Sequence, residues 1–210
     1  YGLLLTKGEL RMFSYNMILR DLECRMKESR FRHTLGVVQT AEKLALRYNA
    51  DRDKAAVAAL LHDCSKTTDI TEEQMYAIAS RTLFKDEYPL QTKGEALLHA
   101  LASEVIAREK YGVEDMEILS AIRWHTTGRI GMSALDMIVY SADMVEPSRK
   151  FDGVEKLRLL MNCGLERLTF ECMKHCVSYL EQSGSEIHQT TLDSYNYLKE
   201  KLNETEINNG

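Results

Sequence analysis

An all-α fold is what this sequence predicts, and three observations carry the prediction. Apolar residues recur with a helical period along nearly every segment, and no stretch alternates as a half-buried strand would. The 210 residues hold only two prolines, Pro89 and Pro147, so long runs are free to be helical. A chain of this length can bury one substantial core. Its hydrophobic share of 44% and charged share of 28% are those of an ordinary globular domain.

The elements follow in order. From Glu9 to about Lys27, Leu10, Phe13, Met17 and Leu22 fall on one stripe. A second helix runs from about His33 to Tyr48, with Leu35, Val38, Ala41, Leu44, Ala45 and Tyr48 inward. A third spans Arg52 to Cys64 and ends in the loop Ser65–Asp69. Thr71 can cap a short helix reaching Ser80. Arg81 to Gly94 has no period and reads as a loop over one face. Helices are then expected over Glu95–Tyr111, closed by Gly112, and over Glu114–His125. Ser133–Glu146 is the most apolar helix and stops at Pro147. Three more cover Val154–Cys163, Leu165–Gln182 and Thr190–Leu202, before a polar tail that reads as frayed.

Composition narrows the function. A net charge of −5 argues against a nucleic-acid-binding surface. It leaves room for a small anionic ligand, because a bound metal supplies local positive charge that the net sum hides. Five cysteines, an odd count without framework spacing, suit a reducing, cytoplasmic setting. Cys172, His175 and Cys176 read as packed helical neighbours rather than a metal cluster. No apolar run approaches a membrane span, and Leu3–Leu5 is shorter than a signal-peptide core. The chain opens on Tyr1 rather than Met, as a piece of a longer protein would.

Chemistry concentrates at helix ends. His62-Asp63 closes an apolar run, Ala55 to Leu61, and offers an imidazole and a carboxylate, both ordinary ligands of a divalent ion. Alone the pair is weak. It gains weight from His33, His99 and His125 on or beside other apolar helices, and from Asp143 inside the Leu135–Val145 run, where a buried carboxylate needs a cation. Lys66, just past the helix end, is a candidate for screening phosphate charge, with a solvated loop lysine as the plain alternative. Trp124 reads as a core aromatic more readily than as a base-stacking platform. Arg123 and Arg129 flank the site and read either as attractors of a polyanion or as surface charges; Tyr179, Tyr195 and Tyr197 read as packing only.

The order His33, His62-Asp63, Asp143 resembles the ligand pattern of the HD-domain metal-dependent phosphohydrolases. The strings Ala121–Arg129 (with His125-Thr126-Thr127-Gly128), Gly131–Ser133, Ala142–Arg149 and Phe151–Arg158 sharpen it to the bacterial YqeK-type family of symmetrical bis(5′-nucleosyl)-tetraphosphatases, over about Phe31 to Arg158. The resemblance implies an HD-domain helical bundle: an N-terminal helical extension over 1–30, the phosphohydrolase domain over 31–162, and C-terminal helices over 163–210 packing on the same domain. It implies cleavage of diadenosine tetraphosphate (Ap4A) into two ADP. It makes His33, His62, Asp63 and Asp143 ligands of iron (Fe2+/Fe3+), with Mn2+ or another divalent ion as the alternative. His99 and His125 match positions facing the nucleotide phosphates, with a second metal of a dinuclear centre left open.

By the same resemblance Asp63 and Asp143 border the nucleotide, Gly36 lies close to it, Arg149 contacts its phosphate or base side, and Met144 lies beside Arg149. On the chemistry of phosphoanhydride hydrolysis, Asp63, as a bridging ligand or partner of the nucleophilic water, and Lys66 are the candidate catalytic residues. Two departures from the family pattern are Ser103 near His99, where a smaller residue is expected, and a longer loop between Lys66 and Gly94. The implied partners are the dinucleotide and ADP, with no nucleic acid or membrane; amphipathic faces at both ends would suit a homodimer. The competing readings are another HD-family nucleotide phosphohydrolase, and a nucleotide-binding sensor or scaffold without turnover.

Overall fold

The computed structural model describes residues 7–84 and 95–208, with side chains placed over 15–84 and 97–204. Among these residues it is helical throughout and contains no strand. The helices are α1 (Lys7–Arg25), α2 (Glu28–Arg47), α3 (Arg52–Leu61), α4 (Glu72–Ala79), α5 (Glu95–Glu109), α6 (Met116–Trp124), α7 (Ala134–Val145), α8 (Val154–Leu159), α9 (Leu165–Gln182) and α10 (Gln189–Asn208). A single 3-10 turn, Leu160–Asn162, links α8 to α9.

Four helices form the centre. α2 packs on α3 and α7, and α6 packs on α3 and α7. The alanine-rich face of α3 explains how close these approaches are: Ala55, Ala58 and Ala59 are fully buried beside Leu60 and Leu61. Around them Val37, Ala41 and Leu44 of α2, Leu119 and Ile122 of α6, and Ile138 and Val139 of α7 complete one apolar cluster. Each buried leucine or isoleucine contributes about 1.5–3 kcal/mol. α5 lies against α6 with α4 outside it, while α9 covers α7 and α10 covers α9.

The ends of these helices are fixed by side chains. Asp51 accepts from the N–H groups of Asp53 and Lys54 at the start of α3, and Asp115 does the same for Glu117 and Ile118 at α6. Thr71 with Gln74, and Ser133 with Asp136, form reciprocal capping boxes on α4 and α7. Such caps contribute about 1 kcal/mol each. Pro147 forces extended backbone on Glu146 (φ −58, ψ 155), and α7 stops there.

Several expectations are corrected. α2 begins at Glu28, so His33 sits in its second turn rather than at its start. α3 ends at Leu61, which frees His62 and Asp63 to turn away from the helical ladder. On α1 the buried stripe is Ile18 and Leu22, continued by Met26 just past its end, and Met17 is 56% exposed; Leu10 and Phe13 lie outside the described side chains. α10 continues to Asn208, past the expected end at Leu202.

Arg123 is neither a surface charge nor a flanking attractor. It is buried, its guanidinium 4.0 Å above the Trp124 ring, whose hydrophobic stem and face it shares. Arg129 is spent on Asp136, 3.0 Å away. Tyr195 stacks on Phe170, whereas Tyr179 is 65% exposed and packs on nothing that buries it. Cys172 is in the core, where burial pushes its thiol up to about 12. Of the expected loop, 85–94 lies outside the described residues. Its entry is anchored by Thr82, which donates to buried Glu104 at 2.6 Å, and by Phe84, edge-on to Trp124.

Gly128, three residues past His125, holds a left-handed backbone (φ +64) with α9 and α10 closed over it. A Cβ there would overlap Met173 Cε and come 2.7 Å from Ser194 Oγ. Gly128→Ala should therefore combine a backbone penalty with overpacking and lower stability by about 2–4 kcal/mol in urea denaturation. Gly131→Ala, with φ +68 but nothing near its Cβ, should lose only the backbone part, about 1–2 kcal/mol. Equal losses at the two positions would contradict this packing.

Candidate metal centre

Two helix ends present a histidine in the same way. His62 caps α3 and His125 caps α6, both with right-handed backbone. Each ring turns back on its own helix: His62 Nδ1 donates to Ala59 O and His125 Nδ1 to Ile122 O, both at 2.7 Å. A carbonyl can only accept, so Nδ1 carries a proton, and in the neutral ring Nε2 is the lone pair facing inward. The bond also satisfies a carbonyl that the helix end leaves without a partner. On α2, His33 places Nδ1 2.9 Å from Glu146 Oε1, and its Nε2 faces the same interior point.

Asp63 is the hub. Its carboxylate is almost wholly buried, with Oδ2 2.9 Å from Arg30 Nη1 and 3.4 Å from His62 Nε2. Its Oδ1 lies 3.0 Å from Lys66 Nζ, 3.3 Å from His99 Nε2 and 3.6 Å from His125 Nε2. His99 Nε2 and His125 Nε2 are 3.1 Å apart. Asp143 Oδ1 is 3.0 Å from His33 Nε2 and 3.8 Å from His62 Nε2, and accepts from Arg149 Nη2 at 2.6 Å.

Three of these atoms, His33 Nε2, His62 Nε2 and Asp63 Oδ1, are buried with no hydrogen-bond partner, because their close charged neighbours lack hydrogen-bond geometry. Three orphaned lone-pair atoms in one place are costly unless something cationic completes them. The donor set fits a divalent ion. His33, His62 and Asp63 form one group and Asp63, His99 and His125 a second, each with ligand atoms within 4.8 Å of one another. Ligands about 2.1 Å from a shared ion sit about 3.0–3.4 Å apart, the range of the His62–Asp63, His33–Asp143 and His99–His125 separations.

The electrostatics separate the groups. Burial pushes Asp63 up, but the surrounding imidazoles of His62, His125 and His99 outweigh it and hold the carboxyl well below its usual range. Asp143 follows the same logic: burial raises it, while the adjacent His33 imidazole and the Arg149 charge bring it far down. His62 is raised, since Asp63 and Asp143 overcome the opposing effect of burial. His125 is lowered by burial and by its neighbour His62. Both imidazoles feel Asp63 and Asp143, but at His125 burial and the neighbouring His62 prevail, whereas at His62 the carboxylates do.

The sequence-predicted residues are distributed as follows. His33, His62, Asp63, His99, His125, Asp143, Lys66 and Arg149 converge. Gly36 sits one turn from His33, but its missing side chain faces Glu146. Met144 is half-buried and packs against the main core. Ser103, the departure near His99, ties the turn after Asp63 to α5: it accepts from Ser65 N at 3.1 Å and donates to Ser65 Oγ at 3.0 Å.

Two residues that bear on the centre were not anticipated. Arg30 precedes His33 by three, one helical turn, a spacing that puts it on the same face. Glu146 follows Asp143 by three, but lies in what reads as a helix terminus. With Ser29, Ser148, Arg149 and Lys150 they line a pocket of about 350 Å³ that opens beside His33.

The HD domain family profile matches residues 30–148. The symmetrical bis(5′-nucleosyl)-tetraphosphatase of Halalkalibacterium halodurans is 39% identical over 82% of this chain and 90% of its own length. The protein of that name from Bacillus subtilis is 36% identical over 82% of this chain and 91% of its length. A crystal structure of a predicted HD superfamily hydrolase involved in NAD metabolism from Clostridium acetobutylicum superposes with a TM-score of 0.77 at 33% identity, covering 89% of this chain and 97% of that one. The segment matched by the profile carries His33, His62, Asp63, His99, His125 and Asp143 together. This chain belongs to the HD-domain family, in the group whose curated members are named symmetrical bis(5′-nucleosyl)-tetraphosphatase.

Proposed function

We propose that this protein is a metal-dependent phosphoanhydride hydrolase that splits diadenosine tetraphosphate symmetrically into two ADP. The observation that carries the reading is the convergence of His33, His62, Asp63 and Asp143 on one buried centre with orphaned ligand atoms, in a chain that matches enzymes of that name over four-fifths of its length. His33, His62, Asp63 and Asp143 would hold iron, with Mn2+ as the alternative. His99 and His125 would face the phosphates or, with Asp63 shared, hold a second ion. Bound there, the metal supplies Lewis-acid charge to a phosphoryl oxygen and makes water acidic enough to attack near neutral pH.

The chain's own residues do the rest. Water adds to the second phosphorus of the tetraphosphate, and the bond from that phosphorus to the central bridging oxygen breaks, so each half leaves as a nucleoside diphosphate. Asp63 faces the centre as a carboxylate and can accept a hydrogen bond from the attacking water, orienting it. Lys66 Nζ, 3.0 Å from Asp63, is close enough to screen charge on the leaving phosphate. Arg149 and Arg30 stand at the pocket mouth, where a guanidinium can grip phosphate with two bonds. Gly36 and Met144 would border the nucleotide.

We read residues 31–162 as the catalytic domain, 1–30 as an N-terminal extension and 163–210 as helices of the same domain. We take the setting to be cytoplasmic from the cysteine usage, and the amphipathic faces at both ends suit either a homodimer or packing within one chain. No described helix is long and apolar enough to cross a membrane.

The direct test incubates the metal-loaded protein with Ap4A and separates the products by anion exchange. ADP as the sole nucleotide product is expected. AMP with ATP would place the cleavage elsewhere, and tight ADP binding without turnover would make the protein a sensor. His62→Ala and Asp63→Ala should lose bound metal together with activity, with kcat falling at least about 100-fold; metal retained in both would contradict the ligand set.

Proton competition gives a further expectation. In the metal-free protein His62 binds its proton more tightly than an ordinary imidazole, and that proton must leave before Nε2 can ligate. Apparent Mn2+ affinity should therefore rise as pH is raised through and above the ordinary imidazole range, with proton release seen calorimetrically in buffers of different ionisation heat. Affinity flat with pH would contradict the assignment.

A further inference from the structure

We propose that Glu146 is a positioning residue: its buried carboxylate fixes the tautomer and orientation of the His33 ring, and Gly36 exists to leave room for it. The inference rests on the reading of His33 as a metal ligand and adds the residue that makes it one.

His33 stands between two carboxylates, with Glu146 Oε1 2.9 Å from Nδ1 and Asp143 Oδ1 3.0 Å from Nε2. A neutral imidazole has one proton for these two acceptors. If the proton sits on Nε2, it points at Asp143 and blocks the lone pair. If it sits on Nδ1, it bonds Glu146 and leaves Nε2 bare for a cation. Only the second arrangement makes His33 equivalent to His62 and His125, whose Nδ1 protons are committed to backbone carbonyls. His33 lies in the second turn of its helix, so no helix-end carbonyl is available to its ring. Glu146 takes that part.

Glu146 is held for this purpose from every side. Its side chain is fully buried, and its carboxylate accepts from Ser148 N at 2.6 Å and from the Ser148 hydroxyl. Its carbonyl accepts from Arg158 Nη2 at 2.6 Å and from Arg149 N at 3.1 Å. Pro147 sets its extended backbone, which turns the side chain off α7 toward α2. The opposing wall is Gly36. A Cβ there would lie well inside van der Waals contact of Glu146 Oε2 and 3.2 Å from Cδ. Neither atom can retreat, since the carboxylate is pinned by Ser148 and His33. A glycine in mid-helix is otherwise unfavourable, so this position is set by the carboxylate beside it.

The test uses the full chain and Mn2+ alone as the probe. Nitrogen-15 spectra of the metal-free wild type should show His33 protonated on Nδ1 and bare on Nε2; a proton on Nε2 overturns the proposal without any variant. Glu146→Gln, of the same shape, should keep the wild-type circular dichroism spectrum, mix the His33 tautomers and weaken Mn2+ binding about 10–100-fold. Glu146→Asp should recover part of the affinity, because the acceptor charge returns. Gly36→Ala should weaken binding on its own and add nothing in a Glu146→Ala background. Wild-type affinity and an unmixed tautomer in Glu146→Gln, or additive losses in the double variant, would overturn it. His33→Ala separates the levels: loss of Mn2+ there, with none in Glu146→Gln, refutes only this proposal, whereas no loss in His33→Ala refutes the ligand reading beneath it.

Discussion

A single buried carboxylate, Asp63, sets the terms for the rest of the structure. An ionised group taken wholly out of water is costly by several kcal/mol unless opposite charge surrounds it. Here Arg30, Lys66 and three imidazoles lie within 3.6 Å of its two oxygens. Those neighbours come from α2, the turn after α3, α5 and the end of α6, so one charge organises four parts of the chain. The arrangement is still incomplete in protein terms alone, because Asp63 Oδ1, His33 Nε2 and His62 Nε2 have no hydrogen bond. A divalent cation held by His33, His62 and Asp63 would give the two imidazole nitrogens a partner and neutralise the carboxylate.

The backbone serves this centre through one repeated device. A helix stops, the next residue is a histidine, and its Nδ1–H returns to the carbonyl three residues back. The helix end gains a partner for an orphaned carbonyl and the site gains an aimed lone pair. His33 lies within a helix and lacks that option, which is why a carboxylate from beyond α7 replaces the carbonyl. The apolar packing of α2, α3, α6 and α7 fixes these pieces relative to one another, and the small residues of α3 let the four helices come close.

Much of this was legible in the residues. The helices announced themselves through period and punctuation: Thr71 and Ser133 as caps, Gly112 and Pro147 as stops. The ligands were legible because a polar residue on an apolar run, as at His62-Asp63 or Asp143, needs a partner. What failed did so for physical reasons. Met17 and Tyr179 satisfy a helical stripe, yet a period says nothing of whether a neighbouring helix arrives to cover it, and both are exposed. Arg123 looked like a surface cation because burial of a guanidinium against Trp124 is a tertiary fact. Glu146 looked like the polar end of α7, and only the fold brings it to His33, 113 residues away. The close approach of Glu146 to Gly36 is likewise supplied only by the fold.

Crystallography with anomalous scattering can show whether the orphaned atoms are metal ligands. Data collected above and below the absorption edge of the metal that copurifies, or of Mn2+ soaked into metal-free crystals, should give an anomalous peak among His33 Nε2, His62 Nε2, Asp63 and Asp143, about 2.0–2.3 Å from each. A centre filled only by ordered water, without anomalous signal and with each lone pair hydrogen-bonded to it, would contradict the account.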